Sequence, residues 1–249
     1  MPTASGAGTS GTRRADTMRR TATAMRASMP CSRHDCTVPT PMNAELHARL
    51  QPETHHFVPG PRIADAQRER MAALLFATSY LEYCSFGNRL RLPLVALQRR
   101  QNIDPYIAHS YGLFDAAGRF SGFYTAATIA EFGKVDAVSY YRDEMRAMDA
   151  AYDAFIALHA RADDLFVSSL ALEERDRGRG LLNVLLAHIE ALARSKGSPR
   201  IVLTVWENSA AMGIYLHKGF RSRAVFDYAA ELFFDRLHFM ELLPPGGSQ

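Results

Sequence analysis

The segment Arg177-Gly178-Arg179-Gly180 lies between a strand-like apolar run, Leu165 to Leu172, and a helix-like run, Leu181 to Leu192. A glycine-rich turn that leads into a helix lets successive backbone N–H groups converge on an anion. The positive end of the helix adds to that attraction. A strand, this loop and a helix in that order therefore predict an α/β unit with a phosphate-binding turn.

A second motif follows the next strand-like run, Ile201 to Trp206, and reads Asn208-Ser209-Ala210-Ala211-Met212-Gly213-Ile214-Tyr215-Leu216-His217-Lys218-Gly219-Phe220. The two motifs in this order resemble the acetyl-CoA-binding half of the GNAT superfamily of N-acyltransferases. There a strand, an R-G-x-G loop, a helix and a strand precede N-x-x-A-x-x-x-Y-x-x-x-G-F. The resemblance covers roughly residues 64 to 243 and is strongest from 165 to 220. It implies an α/β (α+β) GNAT fold, with a mixed, mostly antiparallel central sheet flanked by helices.

The glycine loop fits the family's phosphate-binding pattern in two registers. Arg175, Gly178 and Gly180 match R-x-x-G-x-G/A literally, but the apolar positions of the following helix are then out of step. Arg177, Gly180 and Leu182 make the first part an R-G-x-G and align the helix, and we favour this register. Leu182 then stands where the family has Gly or Ala. Its backbone N–H can still donate, so we expect a modified loop with altered affinity for CoA.

The resemblance implies acetyl-CoA as cosubstrate and no metal. The residues expected to contact acetyl-CoA are two on the edge of the central strand, six in the loop and helix start, and two in the second motif: Leu170, Leu172, Arg177, Gly178, Arg179, Gly180, Leu182, Asn183, Asn208 and Tyr215. Asn208 has an alternative role as the N-cap of the helix that follows it. The two loop arginines have an alternative as solvated, solubilising groups.

Tyr215, Glu173 and Glu174 are the candidate catalytic residues. Tyr215 matches the tyrosine that in many members of the family donates a proton to the CoA sulfur or hydrogen-bonds it, and a phenol with an ordinary pKa of about 10 is protonated at neutral pH. Its alternative is an aromatic ring that only packs against its neighbours. One of the two glutamates would deprotonate the amine; the alternative, which we favour, is that both are solvated acids opening a loop. Because Cys84, the only cysteine of the predicted domain, is far from both motifs, we expect direct transfer without a covalent enzyme intermediate.

The chain has 249 residues and 47% hydrophobic content, enough for one sizeable core. Its first 41 residues hold six Arg and two Asp, a net charge of +4 against +3 for the whole chain, so the basic charge belongs to this segment. We expect residues 1–41 to be a disordered basic tail, with a transit peptide or a mis-called start codon as alternatives, and residues 42–249 to be the GNAT domain. The domain's near-neutral charge disfavours a nucleic-acid partner.

Three cysteines make no disulfide framework and fit a reducing, cytoplasmic setting. The Cys31 to Cys36 segment lacks the further ligands that structural zinc needs. No stretch reaches the eighteen or so apolar residues of a membrane span. We therefore expect a soluble protein without a membrane or metal partner.

Other segments predict the rest of the fold. We expect a helix from Ala64 to Tyr83 and a second, shorter one over Leu90 to Gln98, interrupted by Pro93. A hairpin of Ile107 to Phe114 with Phe120 to Ile129 should follow, and then a helical insertion over Val135 to Ala160 before the central strand. The closing strands should lie around Phe226 and from Leu232 to Leu243. The acceptor would lie near the first helix and the insertion, where acidic and aromatic side chains suit a cationic amine. These side chains are Tyr80, Glu82, Tyr83, Tyr140, Tyr141 and Glu144. For the tyrosines among them, packing in the core is the alternative that we favour. By analogy with the family, the insertion and the last strands are surfaces for a homodimer.

The sequence thus predicts an N-acetyltransferase that acts on a primary amine of an unidentified small molecule or peptide. A different class of function stays open, a GNAT-like domain that binds CoA or acyl-CoA without turnover, as a sensor or structural module. A Rossmann-type nucleotide-binding protein is excluded, because no G-x-G-x-x-G follows a first strand.

Overall fold

A computed structural model describes residues 55–78, 93–135, 142–227 and 235–244. These residues form one seven-stranded sheet in the order β1-β2-β3-β4-β5-β7-β6. The strands are β1 His55–Pro59, β2 Ser110–Asp115, β3 Phe120–Thr128, β4 Leu165–Leu172, β5 Ile201–Trp206, β6 Arg221–Asp227 and β7 Arg236–Leu242. Only β4 and β5 pair in parallel, and every other neighbouring pair is antiparallel. The predicted mixed, mostly antiparallel sheet is confirmed.

Six α-helices flank the sheet in the described part of the chain. They are α1 Asp65–Thr78, α2 Leu94–Leu97, α3 Ile129–Phe132, α4 Arg142–His159, α5 Leu181–Lys196 and α6 Ala210–His217. The predicted insertion before the central strand is helix α4. The predicted first helix is α1. Its expected last residues lie outside the described residues, and so do Tyr80, Glu82, Tyr83, Tyr140, Tyr141 and the segment 1–41. None of the helices described is both long and apolar enough to span a bilayer.

Two strand predictions need correction. Strand β1 was not predicted, yet it pairs antiparallel with β2 along its whole length. Strand β2 begins at Ser110 and not at Ile107, because Asp104–His109 form a 3-10 helix with Pro105 in its first turn. Proline is compatible with the first turn of a helix and lacks the N–H that a strand ladder needs.

The core is divided between the two faces of the sheet. On one face, here the α5 face, Leu185 and Ile189 of α5 pack with Leu165 and Leu203, and Tyr215 of α6 belongs to the same cluster. On the other face, here the α1 face, α1 and α4 cover separate clusters. Each fully buried Leu or Ile contributes about 1.5–3 kcal/mol to stability. The central strands are therefore covered on both faces.

Strands β4 and β5 are paired at one end only. Their parallel pairing joins Leu165, Phe166 and Val167 of β4 to the first three residues of β5 and then stops. At that point Ser168 is an extra residue in β4, because Thr125 of β3 pairs with Ser169 whereas Ala126 pairs with Val167. A bulge of this kind bends its strand. The second halves of β4 and β5 therefore diverge, and a gap opens in the middle of the sheet.

Candidate active site

A cavity of about 1080 Å³ lies at this gap. Its lining includes residues 168–172 of β4 and residues 203–206 of β5. Leu182 and Tyr215 line it from the α5 face, whereas Thr78 and Tyr152 line it from the α1 face. The cavity therefore passes through the sheet and connects its two faces.

The edge of β4 that borders the gap presents backbone hydrogen-bonding groups. The N–H of Glu173 donates to the carbonyl of Ser121 on β3 at 2.9 Å. Backbone groups of successive residues in an antiparallel strand alternate in direction. Those of Leu170 and Leu172, which face Tyr124 and Gly122 across the ladder, consequently point away from β3 and into the gap. An open strand edge of this kind can pair with an extended chain that carries amides.

The glycine loop leads from β4 into an uncapped helix N-terminus. Gly178 has φ 73° and Gly180 has φ 80°, in the left-handed region that favours glycine. Gly180 is the N-cap of α5, and no side chain caps it. The amides of Gly180, Leu181 and Leu182 have no carbonyl partner within the helix, because the first turn of any helix lacks them. The N–H of Asn183 donates to the carbonyl of Gly180 at 2.9 Å, and contact of Asn183 with acetyl-CoA stays a prediction.

The arginines around the loop have different surroundings. Arg175 donates to the backbone carbonyl of Phe120 on β3. Arg177 donates through Nε to the carbonyl of Leu172 at 3.2 Å and lines the cavity. Arg179 is exposed, with Nη1 3.8 Å from the carboxylate of Asp176. Arg177 is therefore the loop arginine that borders the gap, which suits the favoured register, whereas Arg175 holds the loop against β3.

Tyr215 lies on α6 at the wall of the cavity. It is 9% exposed, and its ring centroid is 5.3 Å from that of Phe220. Burial raises the pKa of its hydroxyl to about 12, so the group is protonated at neutral pH. This position is compatible both with packing and with proton donation into the cavity.

Asn208 does not have the alternative role given to it by the sequence. The N-cap of α6 is Ser209, whose Oγ accepts from the N–H of Ala211 at 3.2 Å. Asn208 donates through Nδ2 and through its backbone N–H to the carboxylate of Asp235, at 2.8 and 3.1 Å. These bonds tie the end of β5 to the start of β7. The N-cap interpretation was wrong, and contact of Asn208 with acetyl-CoA stays a prediction.

Glu173 is not the solvated acid that the sequence favoured. It is 4% exposed, and both carboxylate oxygens accept from the guanidinium of Arg70 on α1, at 2.6 Å each. The hydrogen bonds from Arg70 lower the pKa of Glu173, which makes it a weak proton acceptor. Glu174 is exposed, and neither glutamate is among the described residues that line the cavity. That one of them deprotonates the amine stays a prediction, and the ion pair weighs against Glu173.

The sequence did not single out a hydroxyl pair at the gap. Tyr152 of α4 and Thr204 of β5 lie with Oη and Oγ1 3.0 Å apart, and both residues line the cavity. Asp153, exposed on the same helix, also lines it. The helical pattern of the insertion predicted α4 but not which of its turns reaches the gap. Nowhere in the described ranges do three His, Cys, Asp or Glu side chains gather to hold a metal ion.

Comparisons with known proteins show similarity at the level of structure. No family model matches the chain, and no curated protein does. The C-terminal condensation domain of Ebony in complex with beta-alanyl-dopamine superposes with a TM-score of 0.57 at 12% identity, over 76% of this chain and 98% of that one. Ard1 from Thermoplasma volcanium gives a TM-score of 0.47 at 15% identity, over 76% and 97%. Nourseothricin acetyltransferase gives 0.37 at 17% identity over 55% of this chain, which spans 65% of that protein.

Proposed function

We propose that this chain, which has the GNAT fold, is an N-acetyltransferase that moves an acetyl group from acetyl-CoA directly to a primary amine of a small molecule or peptide. One observation carries the proposal. The cavity crosses the sheet where β4 and β5 diverge, and the open edge of β4 leads from it to the uncapped N-terminus of α5. An extended amide-containing arm and a diphosphate, joined in that order, fit this arrangement.

The residues present suit each part of CoA. The backbone groups of Leu170 and the N–H of Leu172 would pair with the pantetheine arm as an added strand would, whereas the carbonyl of Leu172 already accepts from Arg177. The amides at the start of α5, with the glycines of the loop, would hold the diphosphate at the positive end of the helix dipole. Arg177 and Arg179 would supply positive charge. Leu182 lines the cavity and packs partly against the core, and its backbone amide is the group that would contact the diphosphate.

The proposed reaction is direct aminolysis of a thioester. The lone pair of the neutral amine attacks the carbonyl carbon, and the C–S bond breaks with its electron pair on sulfur. One proton leaves the nitrogen and one arrives on the sulfur, so the products are an amide and the CoA thiol. An acceptor that arrives as an ammonium ion first loses its extra proton to solvent or to a carboxylate. Tyr215, protonated and at the cavity wall, is the proposed proton donor to the thiolate.

A second function stays open for the same cavity: binding of CoA or acyl-CoA without turnover. Two observations favour it. Leu182 stands at a position where the resembled family has a small residue, and the carboxylate of Glu173 is held by Arg70. Both functions require the loop to hold CoA, but only the transferase releases a thiol in the presence of an amine.

Calorimetric titration of the full chain with acetyl-CoA tests the proposal, with the Gly180→Asp and Gly180→Asn variants as a matched pair. Asp and Asn are similar in size and both tolerate the left-handed backbone of residue 180. A carboxylate near a diphosphate at the protein surface weakens binding by about 1–2 kcal/mol, or roughly tenfold or more. We expect micromolar binding by the wild-type chain, at least about tenfold weaker binding by Gly180→Asp, and a change within about threefold for Gly180→Asn.

Two results would count against the proposal. If the folded wild-type chain does not bind acetyl-CoA, both the transferase and the CoA-binding alternative fail. If acetyl-CoA binds but no amine in a broad panel releases CoA thiol, the binding-only alternative replaces the transferase.

A further inference from the structure

The part of the cavity on the α1 face has an aromatic and apolar wall. It lies between α3, α4 and the 3-10 helix Asp104–His109, opposite the loop and helix proposed to hold acetyl-CoA. The residues that form this wall are Tyr106, Ile129, Phe132, Tyr152, Ile156 and Phe166. The ring of Phe132 meets those of Tyr106 and Phe166 edge to face, with centroids 6.0 Å away in both cases. Such a wall suits a flat apolar group, because aromatic rings pack favourably edge to face or offset.

Charge is scarce in this part of the cavity. Of the lining residues that the structure describes on the α1 face, Asp153 alone carries a charge at neutral pH. A polycationic acceptor would place further ammonium groups against apolar surface, with no carboxylate besides Asp153 among the described lining residues of this face to match them, which is unfavourable. An amino acid would place its carboxylate in a compartment where Asp153, the charged residue among the described lining residues of this face, is also negative. One ammonium group on an uncharged body fits the lining best.

The polar end of this compartment lies at the gap. The hydroxyls of Tyr152 and Thr204, 3.0 Å apart, mark the point where α4 meets the free half of β5. An amine held with its ring among Phe132 and Phe166 would direct its nitrogen toward this polar end, and so toward the gap that the acetyl group would enter. Asp153, on the same helix as Tyr152, would attract the ammonium ion before it loses its proton.

We propose that the acceptor is a primary amine with a single cationic nitrogen on an uncharged aromatic body, of the arylalkylamine class. This inference rests on the proposed function, since it names the substrate of the same site. It excludes polyamines, aminoglycosides and free amino acids as preferred acceptors.

The test compares 2-phenylethylamine with spermidine and phenylalanine as acceptors, by release of CoA thiol from saturating acetyl-CoA with the full chain. We expect kcat/KM for 2-phenylethylamine to exceed both others by at least about tenfold, the discrimination that an apolar pocket can supply. A preference for spermidine or phenylalanine, with acetyl-CoA bound, overturns the acceptor class and leaves the proposed function standing.

Direct binding of 2-phenylethylamine decides the inference where no thiol is released. Calorimetry with and without CoA should show binding of 2-phenylethylamine and none of phenylalanine at the same concentration. Absence of 2-phenylethylamine binding in both conditions overturns the inference. Failure of acetyl-CoA to bind is a separate result, and it contradicts the proposed function itself.

Matched variants on α4 locate the effect. Ala157 and Ala154 are both exposed, but only Ala157 lines the cavity. Ala157→Phe should fill the compartment and lower kcat/KM for 2-phenylethylamine by about tenfold or more while acetyl-CoA affinity is unchanged, because the added ring takes the space that the substrate needs and such a loss of apolar contact changes kcat/KM by roughly 10–200-fold. Ala154→Phe carries the same helix penalty and should leave kcat/KM unchanged. Equal effects of the two substitutions would refute the assignment of this compartment.

A second matched pair tests the carboxylate. Asp153→Asn should raise KM for 2-phenylethylamine about two- to fivefold, the range expected for a solvent-accessible ion pair. Asp163 is exposed and does not line the cavity, so Asp163→Asn serves as the control. A KM that Asp153→Asn leaves unchanged would remove Asp153 from the acceptor site.

Discussion

Arg200 lies at the end of the sheet where β4 and β5 are paired. We predict that its replacement by Met lowers the free energy of unfolding, because its side chain links several elements there. Its guanidinium donates to both carboxylate oxygens of Asp164, at 2.9 and 2.6 Å, and to Glu241 on β7 at 2.8 Å. It also donates to the carbonyl of His159 at the end of α4, at 2.9 Å. One side chain therefore joins the starts of β4 and β5 to β7 and to the insertion helix.

The size of the effect follows from burial. The side chain of Asp164 is 0% exposed, that of Glu241 7% and that of Arg200 16%, so the network is largely removed from water. Removing one partner of a buried ion pair costs about 3–5 kcal/mol, because a charge is left without compensation. Glu241 keeps a hydrogen bond from Arg223 at 2.6 Å, and Asp164 keeps one from the N–H of Arg161 at 2.7 Å. We therefore expect the lower end, about 3 kcal/mol.

Urea denaturation followed by circular dichroism measures this loss as a change in the free energy of unfolding. For a domain of this size about 3 kcal/mol corresponds to a fall in Tm of roughly 6–12 °C. Arg99→Met, at an exposed position outside the sheet, removes the same charge and should change the free energy of unfolding by less than about 0.5 kcal/mol. A loss below about 1 kcal/mol for Arg200→Met would refute the reasoning, because that is the contribution of a surface ion pair.

Two further predictions concern the site. Tyr215→Phe should lower kcat for thiol release by about 10²-fold or more, since general acid catalysis contributes about 10²–10⁴-fold, and should leave acetyl-CoA affinity unchanged. An unchanged kcat would mean that the side chain of Tyr215 only packs against its neighbours. The hydrogen bonds from Arg70 lower the pKa of Glu173, so the stability from this ion pair is present above the unfolded-state pKa of about 4.3 and is lost as pH falls through the folded-state pKa. Glu173→Gln should therefore show a smaller drop in the free energy of unfolding between neutral and acidic pH than the wild-type chain does; equal drops would show that the pair contributes nothing.

The central strands could be predicted from the sequence with the bounds that the structure has. Leu165–Leu172 and Ile201–Trp206 are mostly apolar runs because β4 and β5 are covered on both faces of the sheet, and polar residues end each run. Strand β1 could not be predicted in this way. It is five residues long, includes two histidines and ends at a proline, so its only strong evidence is its pairing with β2.

The site was predictable where its residues are close in sequence and not where they meet through folding. The loop glycines have the positive φ that a tight turn into a helix implies, and Tyr215 lies at the cavity wall. The partner of Glu173, by contrast, is Arg70, which is 103 positions away in the chain, so the sequence favoured a solvated acid at this position. The N-cap of α6 is Ser209 and not Asn208. The sequence could not decide between them, because Ser and Asn are both good N-caps and the backbone conformation determines which residue caps the helix. The gap depends on the bulge at Ser168, whose only trace in the sequence is a pair of serines inside an apolar strand.

Hydrogen exchange of the full chain with and without saturating acetyl-CoA tests the central claim most directly, because it reports where the ligand lies as well as whether it binds. We expect slower exchange in peptides that cover residues 168–183, which include the free edge of β4 and the start of α5. Peptides from β1 and β2, at the far edge of the sheet, should exchange at the same rate in both conditions. Protection confined to other segments, or none at saturation, would contradict the proposal that acetyl-CoA lies in the gap between β4 and β5.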